Sequence, residues 1–266
     1  MELLSNVKNI VVVASGKGGV GKSTVASNLA VTLSREGYTV GLLDADLYGP
    51  SIPLNFGLEN HQPVITKNEN KSTIEPLVNF GVKLMSLGFL MKKEDAVIWR
   101  GPIASNALTQ LINDTNWGEL DFLFIDMPPG TGDISITIAQ KLPRSKAIIV
   151  ITPQQMAVSD GRKAANMFNA SGIDIEIVGI VENMSWFTPE KHPEEKYLLF
   201  GKGGGDQLAK ELNVPLLAQI PLVSDVCELG DHGKTIFGST SPVIVGAYEG
   251  LAEKIRQANS ILVRSE

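Results

Sequence analysis

A single cysteine occurs in the 266 residues. That excludes an intrachain disulfide and makes a reducing compartment the default setting. No apolar run is long enough to span a bilayer. The opening residues, MELLSNVKN, lack both the apolar stretch and the small-residue cleavage site of a secretory signal. A cytoplasmic protein is therefore expected. Positive charge is also in short supply. Lys and Arg number 23 against 29 Asp and Glu, for a formal charge of −6, whereas a chain that chiefly binds nucleic acid usually shows a basic surplus or stripe. The closing segment places Ile244, Tyr248, Leu251, Ile255 and Leu262 at roughly helical spacing. Its polar face has too few basic residues for a membrane-surface helix, so neither nucleic acid nor membrane is expected as a partner. There is no internal repeat, low-complexity tract or Pro/Gly/Ser linker. One domain over residues 1–266 is expected, with a short extension over 1–9.

Short β-branched runs alternate with longer segments of helical spacing. The runs are Ile10 to Ala14, Val40 to Leu43, Val82 to Leu87, Phe122 to Ile125, Ala147 to Ile151, Ile175 to Val181 and Leu216 to Ile220. Several are apolar on both faces, as strands of a parallel sheet covered by helices must be. Helical segments are predicted after Ser23, Gly101, Asp133, Ala157, Gly203 and Ser241. This alternation predicts an α/β fold with a doubly wound, mostly parallel sheet flanked by helices. Tyr48 to Pro76 and the strip NMSWFTPEKHPEEKYLLFGKGGG, residues 183 to 205, are the least regular stretches.

Residues 15 to 24 read SGKGGVGKST and fit G-x-x-x-x-G-K-[ST] from Gly16 to Ser23. An apolar strand precedes the motif and a helical run follows it, which is the context it requires. The alternative, a glycine-rich turn without a ligand, does not need that context. Glycines let successive backbone N–H groups turn into one concavity, and the helix N-terminus adds partial positive charge. Gly16, Lys17, Gly18, Gly19, Val20, Gly21, Lys22, Ser23 and Thr24 are thus the expected nucleotide cradle. Within it Lys22 would reach the β- and γ-phosphates and Ser23 would bind Mg²⁺.

LLDADLYGPS puts Asp44 and Asp46 at the carboxyl end of the second strand, where open parallel sheets bind ligands. Asp46 suits orienting the attacking water or accepting its proton, and Asp44 suits the Mg²⁺ shell. Either could instead cap a turn. In FLFIDMPPGTGD, four apolar residues end in Asp126, a third candidate for the Mg²⁺ shell, since an unpartnered carboxylate on a buried strand would be costly. The turn over residues 128–132 could sense the γ-phosphate, and Asp133 is expected to cap the next helix. No N-K-x-D element for guanine occurs. Asn183, after the sixth of these strands, could read adenine through its amide or simply serve a turn.

Lys17 is a second lysine in a loop that needs one, and elsewhere it would be read as a solvated surface residue. Here KGGVGKS resembles the deviant Walker A motif of dimeric ATPases. That resemblance implies that Lys17 reaches the nucleotide, commonly across a subunit interface. SGKGGVGKST, LLDADLYGPS, VIWRGP, FIDMPPGTGD, ENMSWF and FGKGGG occur in that order. Together they resemble the Mrp/ApbC/Nbp-type P-loop ATPases of the SIMIBI, MinD/ParA-like class, over about Lys8 to Gly250. The resemblance implies ATP and Mg²⁺ as cofactors and a homodimer that hydrolyses ATP with Lys17, Lys22 and Asp46 as catalytic residues. It also implies a role in delivering iron–sulfur clusters to apo-proteins or assembly factors. The family holds a cluster on a Cys-x-x-Cys pair from each chain, and this sequence departs from that pattern. Ungapped, the pair would fall at Pro189 and His192, and no thiol lies nearby. Cys227 is the one remaining candidate cluster ligand, read otherwise as a half-buried filler. His192 could add a nitrogen or be merely solvated. Two other readings stay open: a MinD/ParA-like positioning ATPase without a cluster, and a P-loop ligase or kinase for a small metabolite.

Overall fold

The computed structural model describes residues 4–263 apart from 69–70, 91–100, 143, 174, 190 and 193. Trp99 and Arg100, which belong to the WRGP stretch, lie outside the described residues, as do Glu190 and Pro193.

All seven expected runs are strands of one sheet. They are β1 (Val7–Ala14), β2 (Val40–Asp44), β6 (Val82–Ser86), β7 (Leu120–Asp126), β8 (Lys146–Ile151), β9 (Glu176–Glu182) and β10 (Leu216–Gln219). The strand order is β10-β9-β8-β1-β7-β2-β6-β5, and every neighbouring pair is parallel except β5 (Leu77–Asn79) with β6. Side-chain alternation sorts each central strand between two cores. Val11 and Val13 of β1, with Phe122 and Phe124 of β7, pack toward α1 (Lys22–Arg35) and α8 (Pro242–Val263). Val12, Leu123 and Ile125 face the opposite layer, which includes α3 (Gly101–Asp114) and α4 (Asp133–Lys141). Each fully buried valine or leucine contributes roughly 1.5–3 kcal/mol relative to exposure. A slip of one residue would turn both sets the wrong way.

Ile244, Tyr248, Leu251 and Ile255 are all buried along one side of α8, as their spacing predicts. α5 (Gln155–Phe168) and α6 (Gly204–Leu212) cover the β8–β9 end of the sheet.

The stretch from Tyr48 to Pro76 is more ordered than expected. It holds the short α2 (Ile52–Asn55) and an antiparallel pair, β3 (Val64–Asn68) with β4 (Lys71–Glu75). Asp133 is not a cap. Gly132 occupies the N-cap position and Asp133 is the first helical residue, where its charge still complements the helix dipole. Cys227 lies on α7 (Ser224–Asp231), but it is exposed rather than half-buried.

Candidate functional site

The carboxyl ends of β1, β2 and β7 meet at one place, because these strands are adjacent in the order β1-β7-β2. Asp44 and Asp126 are register partners at the ends of β2 and β7. The loop leaving β1 curls over them into α1. Two of its glycines are demanded by geometry. A Cβ on Gly16 would lie 1.9 Å from the Asp160 carbonyl oxygen of α5, and Gly21 sits at φ +82°, where a Cβ would lie 2.3 Å from Asn183 Nδ2. Only glycine lets the loop pass so close to both walls.

Lys22, nearly buried, donates to Asp126 Oδ1 at 2.5 Å and lies 3.2 Å from Ser23 Oγ. Asp126 is fully buried, and its Oδ2 has no hydrogen-bond partner among the described residues. Burial holds its carboxyl above the usual range against the opposing pull of Lys22. Asp44 is also buried. Its Oδ1 accepts from Asp46 N at 3.1 Å, and its Oδ2 accepts from Ile52 N at 3.2 Å and Ser86 Oγ at 3.1 Å. Burial first, then the charge of Asp126, pushes the Asp44 carboxyl up to about 7, while Lys22 works the other way. Asp46 lies past the strand end, partly exposed, and accepts from Gly49 N at 3.3 Å.

Asp126 pairs with the buried Lys22 ammonium and also feels the charge of Asp46, while Asp44 feels both Asp126 and Lys22, a surplus of acid that favours a further cation. The unpartnered Asp126 Oδ2 would suit such a cation or its water, and the oxygen donor set of Ser23, Asp44 and Asp126 fits Mg²⁺, which prefers oxygen ligands.

Among the described residues, Lys17 makes no side-chain hydrogen bond or ion pair, and it is partly exposed. The turn at residues 128–132 is tied to the loop by Gly130 N, which donates to Ser15 O at 2.9 Å. Asn183 is buried, and its Nδ2 donates to Val20 O at 2.9 Å. It also lines a cavity of about 240 Å³ beside the loop, together with Gly21, Thr24, Pro221, Leu222 and Val223. The Pro221 to Val223 segment and Ser86 did not emerge from the sequence. The first follows the carboxyl end of β10, so the strand-end rule that selected Asp44 would have found it. Ser86 carries no local signal.

The strip after β9 is a hairpin. Phe187 pairs with Tyr197, and Lys196 lies 4.5 Å from the Trp186 ring centroid. Its base is clasped by the buried Glu182, whose carboxylate accepts from Ser185 Oγ at 2.9 Å, Gly205 N at 2.6 Å and Gln219 Nε2 at 2.8 Å. His192 at the tip lies 3.5 Å from Glu194, and both are exposed. Cys227 is not part of the hairpin. It borders the 240 Å³ cavity, with its Sγ 3.9 Å from Asp231 Oδ2.

Comparison with known proteins places the chain among relatives of one family. The family model for ParA, described as NUBPL iron-transfer P-loop NTPase, matches residues 6–256. A protein of Pseudomonas fragi named iron-sulfur cluster carrier protein is 47% identical over 252 residues, covering 94% of this chain and 85% of its own. A Synechocystis protein of the same name is 45% identical over 251 residues, covering 94% of this chain and 69% of its own. A nucleotide-binding protein of Archaeoglobus fulgidus, solved in complex with ADP, superposes with a TM-score of 0.78 at 35% identity. The match covers 93% of this chain and 94% of the other.

Proposed function

The chain belongs to the ParA family of NUBPL-type iron-transfer P-loop NTPases, and from that premise we propose that it is an ATP-hydrolysing, Mg²⁺-dependent homodimeric switch that assists the assembly of iron–sulfur proteins. The observation that carries the reading is the buried Lys22–Asp126 pair next to Ser23, with Asp126 Oδ2 unpartnered at the mouth of a glycine-built anion cradle. We read residues 1–266 as one P-loop domain.

In this reading the backbone N–H groups of Gly16 to Thr24 and the N-terminus of α1 hold the phosphates. Lys22 exchanges Asp126 for the β- and γ-phosphates, a trade of one anion for another that keeps its charge compensated in a buried place. Ser23, Asp44 and Asp126 are the residues that would hold Mg²⁺, which supplies charge withdrawal from the transferring phosphoryl group. Asp46, more exposed than the other two carboxylates, orients the attacking water. Lys17, unpaired among the described residues of its own chain, serves the nucleotide of a second copy in this reading, as an arginine finger does, which makes the site composite. Asn183 and the Pro221 to Val223 segment flank the base. The Gly130 to Ser15 hydrogen bond carries the state of the phosphates to the 128–132 turn.

The thiols of this chain do not fit a self-contained cluster site. A conventional [4Fe–4S] cluster takes four thiolates. The hairpin supplies none, and two copies supply two Cys227 side chains. The cluster is therefore treated as cargo whose thiolate ligands come from client or assembly proteins. The nucleotide cycle, rather than the thiols of this chain, is its contribution.

Two experiments test the proposal. Lys17→Ala should retain nucleotide binding but lose ATP hydrolysis by about 10³-fold or more. Normal hydrolysis by that variant would refute the composite site. Anaerobic reconstitution with iron and sulfide should leave the isolated protein without stoichiometric cluster, and Cys227→Ser should not change the iron and sulfide counts. A full cluster that vanishes in Cys227→Ser would show that the chain carries cargo on its own thiol.

A further inference from the structure

Ser86 is the last residue of β6, fully buried, and the register partner of Asp44 across the β2–β6 pair. Its hydroxyl makes two contacts. It accepts from Gly88 N at 3.0 Å and lies 3.1 Å from Asp44 Oδ2. A serine hydroxyl has one proton to give. With Gly88 N–H occupying an acceptor position, that proton is directed to Asp44.

The acceptor inventory of Asp44 then closes around a single opening. A carboxylate offers about four lone-pair sites. Ile52 N–H and the Ser86 hydroxyl take both sites on Oδ2, and Asp46 N–H takes one on Oδ1. The site left over is on Oδ1. The surroundings are stiff as well. A Cβ on Gly88 would lie 3.0 Å from Pro53 and 3.1 Å from Pro50, so the turn after Ser86 and the turn after Asp46 are packed directly on each other.

We propose that Ser86 is a positioning residue for the metal-dependent step: it locks the Asp44 carboxylate so that one acceptor site on Oδ1 stays turned toward the cation shell. The inference rests on Asp44 belonging to that shell, as proposed above. Outer-shell hydrogen bonds to metal-ligating carboxylates are generally worth about 10–100-fold in metal affinity or activity. Loss of the Ser86 hydroxyl should therefore appear in the Mg²⁺ dependence and spare the phosphate cradle, which Ser86 does not touch.

The experiment is a Mg²⁺ titration of ATP hydrolysis, paired with binding of a fluorescent ADP analogue in EDTA and urea unfolding in EDTA. For Ser86→Ala the Mg²⁺ concentration at half-maximal rate should rise roughly tenfold, with metal-free ADP affinity unchanged. Ser86→Cys, which keeps the shape but is bulkier and a weak donor, should shift the same way, and Ser86→Thr should restore most of the Mg²⁺ response. If Ser86→Ala and Ser86→Cys lower the urea midpoint while the Mg²⁺ curve stays where it is, Ser86 is merely structural and the proposal is wrong. A parent protein whose hydrolysis does not depend on Mg²⁺ overturns the functional reading and the proposal with it. A Mg²⁺-dependent parent with unshifted variants overturns the proposal alone.

Discussion

Replacing Asp44 with Asn should make the nucleotide-free protein more stable in alkaline solution, even though it should also abolish Mg²⁺-dependent hydrolysis. The folded carboxyl sits at about 7 against an ordinary 3.8, chiefly because it is buried. The folded state therefore keeps its proton over a range where the unfolded chain has released it. Stability that is fully present below the unfolded value is lost as pH rises through the folded one. At about 1.4 kcal/mol per pH unit, ionised Asp44 costs the fold roughly 4 kcal/mol above neutrality. Asn removes that cost but adds another. Three donors face the carboxylate, from Asp46 N, Ile52 N and Ser86 Oγ, so an amide nitrogen must oppose at least one of them. An unmet buried donor costs about 1–3 kcal/mol. The net expectation is a variant about 1–3 kcal/mol more stable than the parent near pH 8.5, with that advantage smaller by about 2 kcal/mol near pH 5.5. Urea titrations in EDTA across this range measure the difference directly. A variant that is less stable throughout, with a gap independent of pH, would refute the reasoning. It would mean that Lys22 and the backbone donors already stabilise ionised Asp44 fully.

Other consequences follow from the same geometry. Lys22→Met leaves Asp126 buried without its cation and should cost the nucleotide-free protein about 3–5 kcal/mol. Adding Asp126→Asn should return most of it in a double-mutant cycle of urea midpoints. Gly16→Ala forces a Cβ to within 1.9 Å of the Asp160 carbonyl. It should displace the loop and weaken binding of a fluorescent ATP analogue by more than about tenfold, a loss that fluorescence titration would read. Glu182→Gln removes one acceptor from the clasp below the hairpin. It should destabilise the protein by about 1–3 kcal/mol and speed proteolytic nicking within residues 188–196, as read by mass spectrometry of the fragments.

The parallel sheet is legible in the sequence because its strands are buried on both faces. Residues such as Val11 to Ala14 and Phe122 to Ile125 have no polar side to confuse the pattern. The β3–β4 hairpin escaped notice for the opposite reason. Its strands are short and mostly polar, and even Val64 and Ile65 are exposed, so no apolar alternation marks them. The site divides the same way. That Lys22, Asp44 and Asp126 gather in one place is legible because each stands where an apolar strand or a glycine loop ends. The roles of Ser86 and Glu182 are not, since their meaning lies in contacts 42 residues away in one case and 37 in the other. The exposure of Cys227 was hidden because the helical spacing of α7 does not say which face meets the core. The absence of thiols from the strip after β9 is legible in the sequence, but the buried carboxylate clasp at its base is not.

The composite active site is the central claim, and mixing two crippled variants tests it most directly. Lys17→Ala lacks the lysine it would lend, and Asp46→Asn lacks the group that orients water in its own site. Each alone should be nearly inactive. In a mixed dimer, the site built on the Lys17→Ala chain keeps its own Asp46 and receives Lys17 from the other chain. An equimolar mixture, allowed to exchange subunits with ATP and Mg²⁺, should therefore recover about a quarter of the parent rate: half the dimers are mixed, each with one complete site. If mixed dimers form and no activity returns, Lys17 does not act across the interface and the account is contradicted.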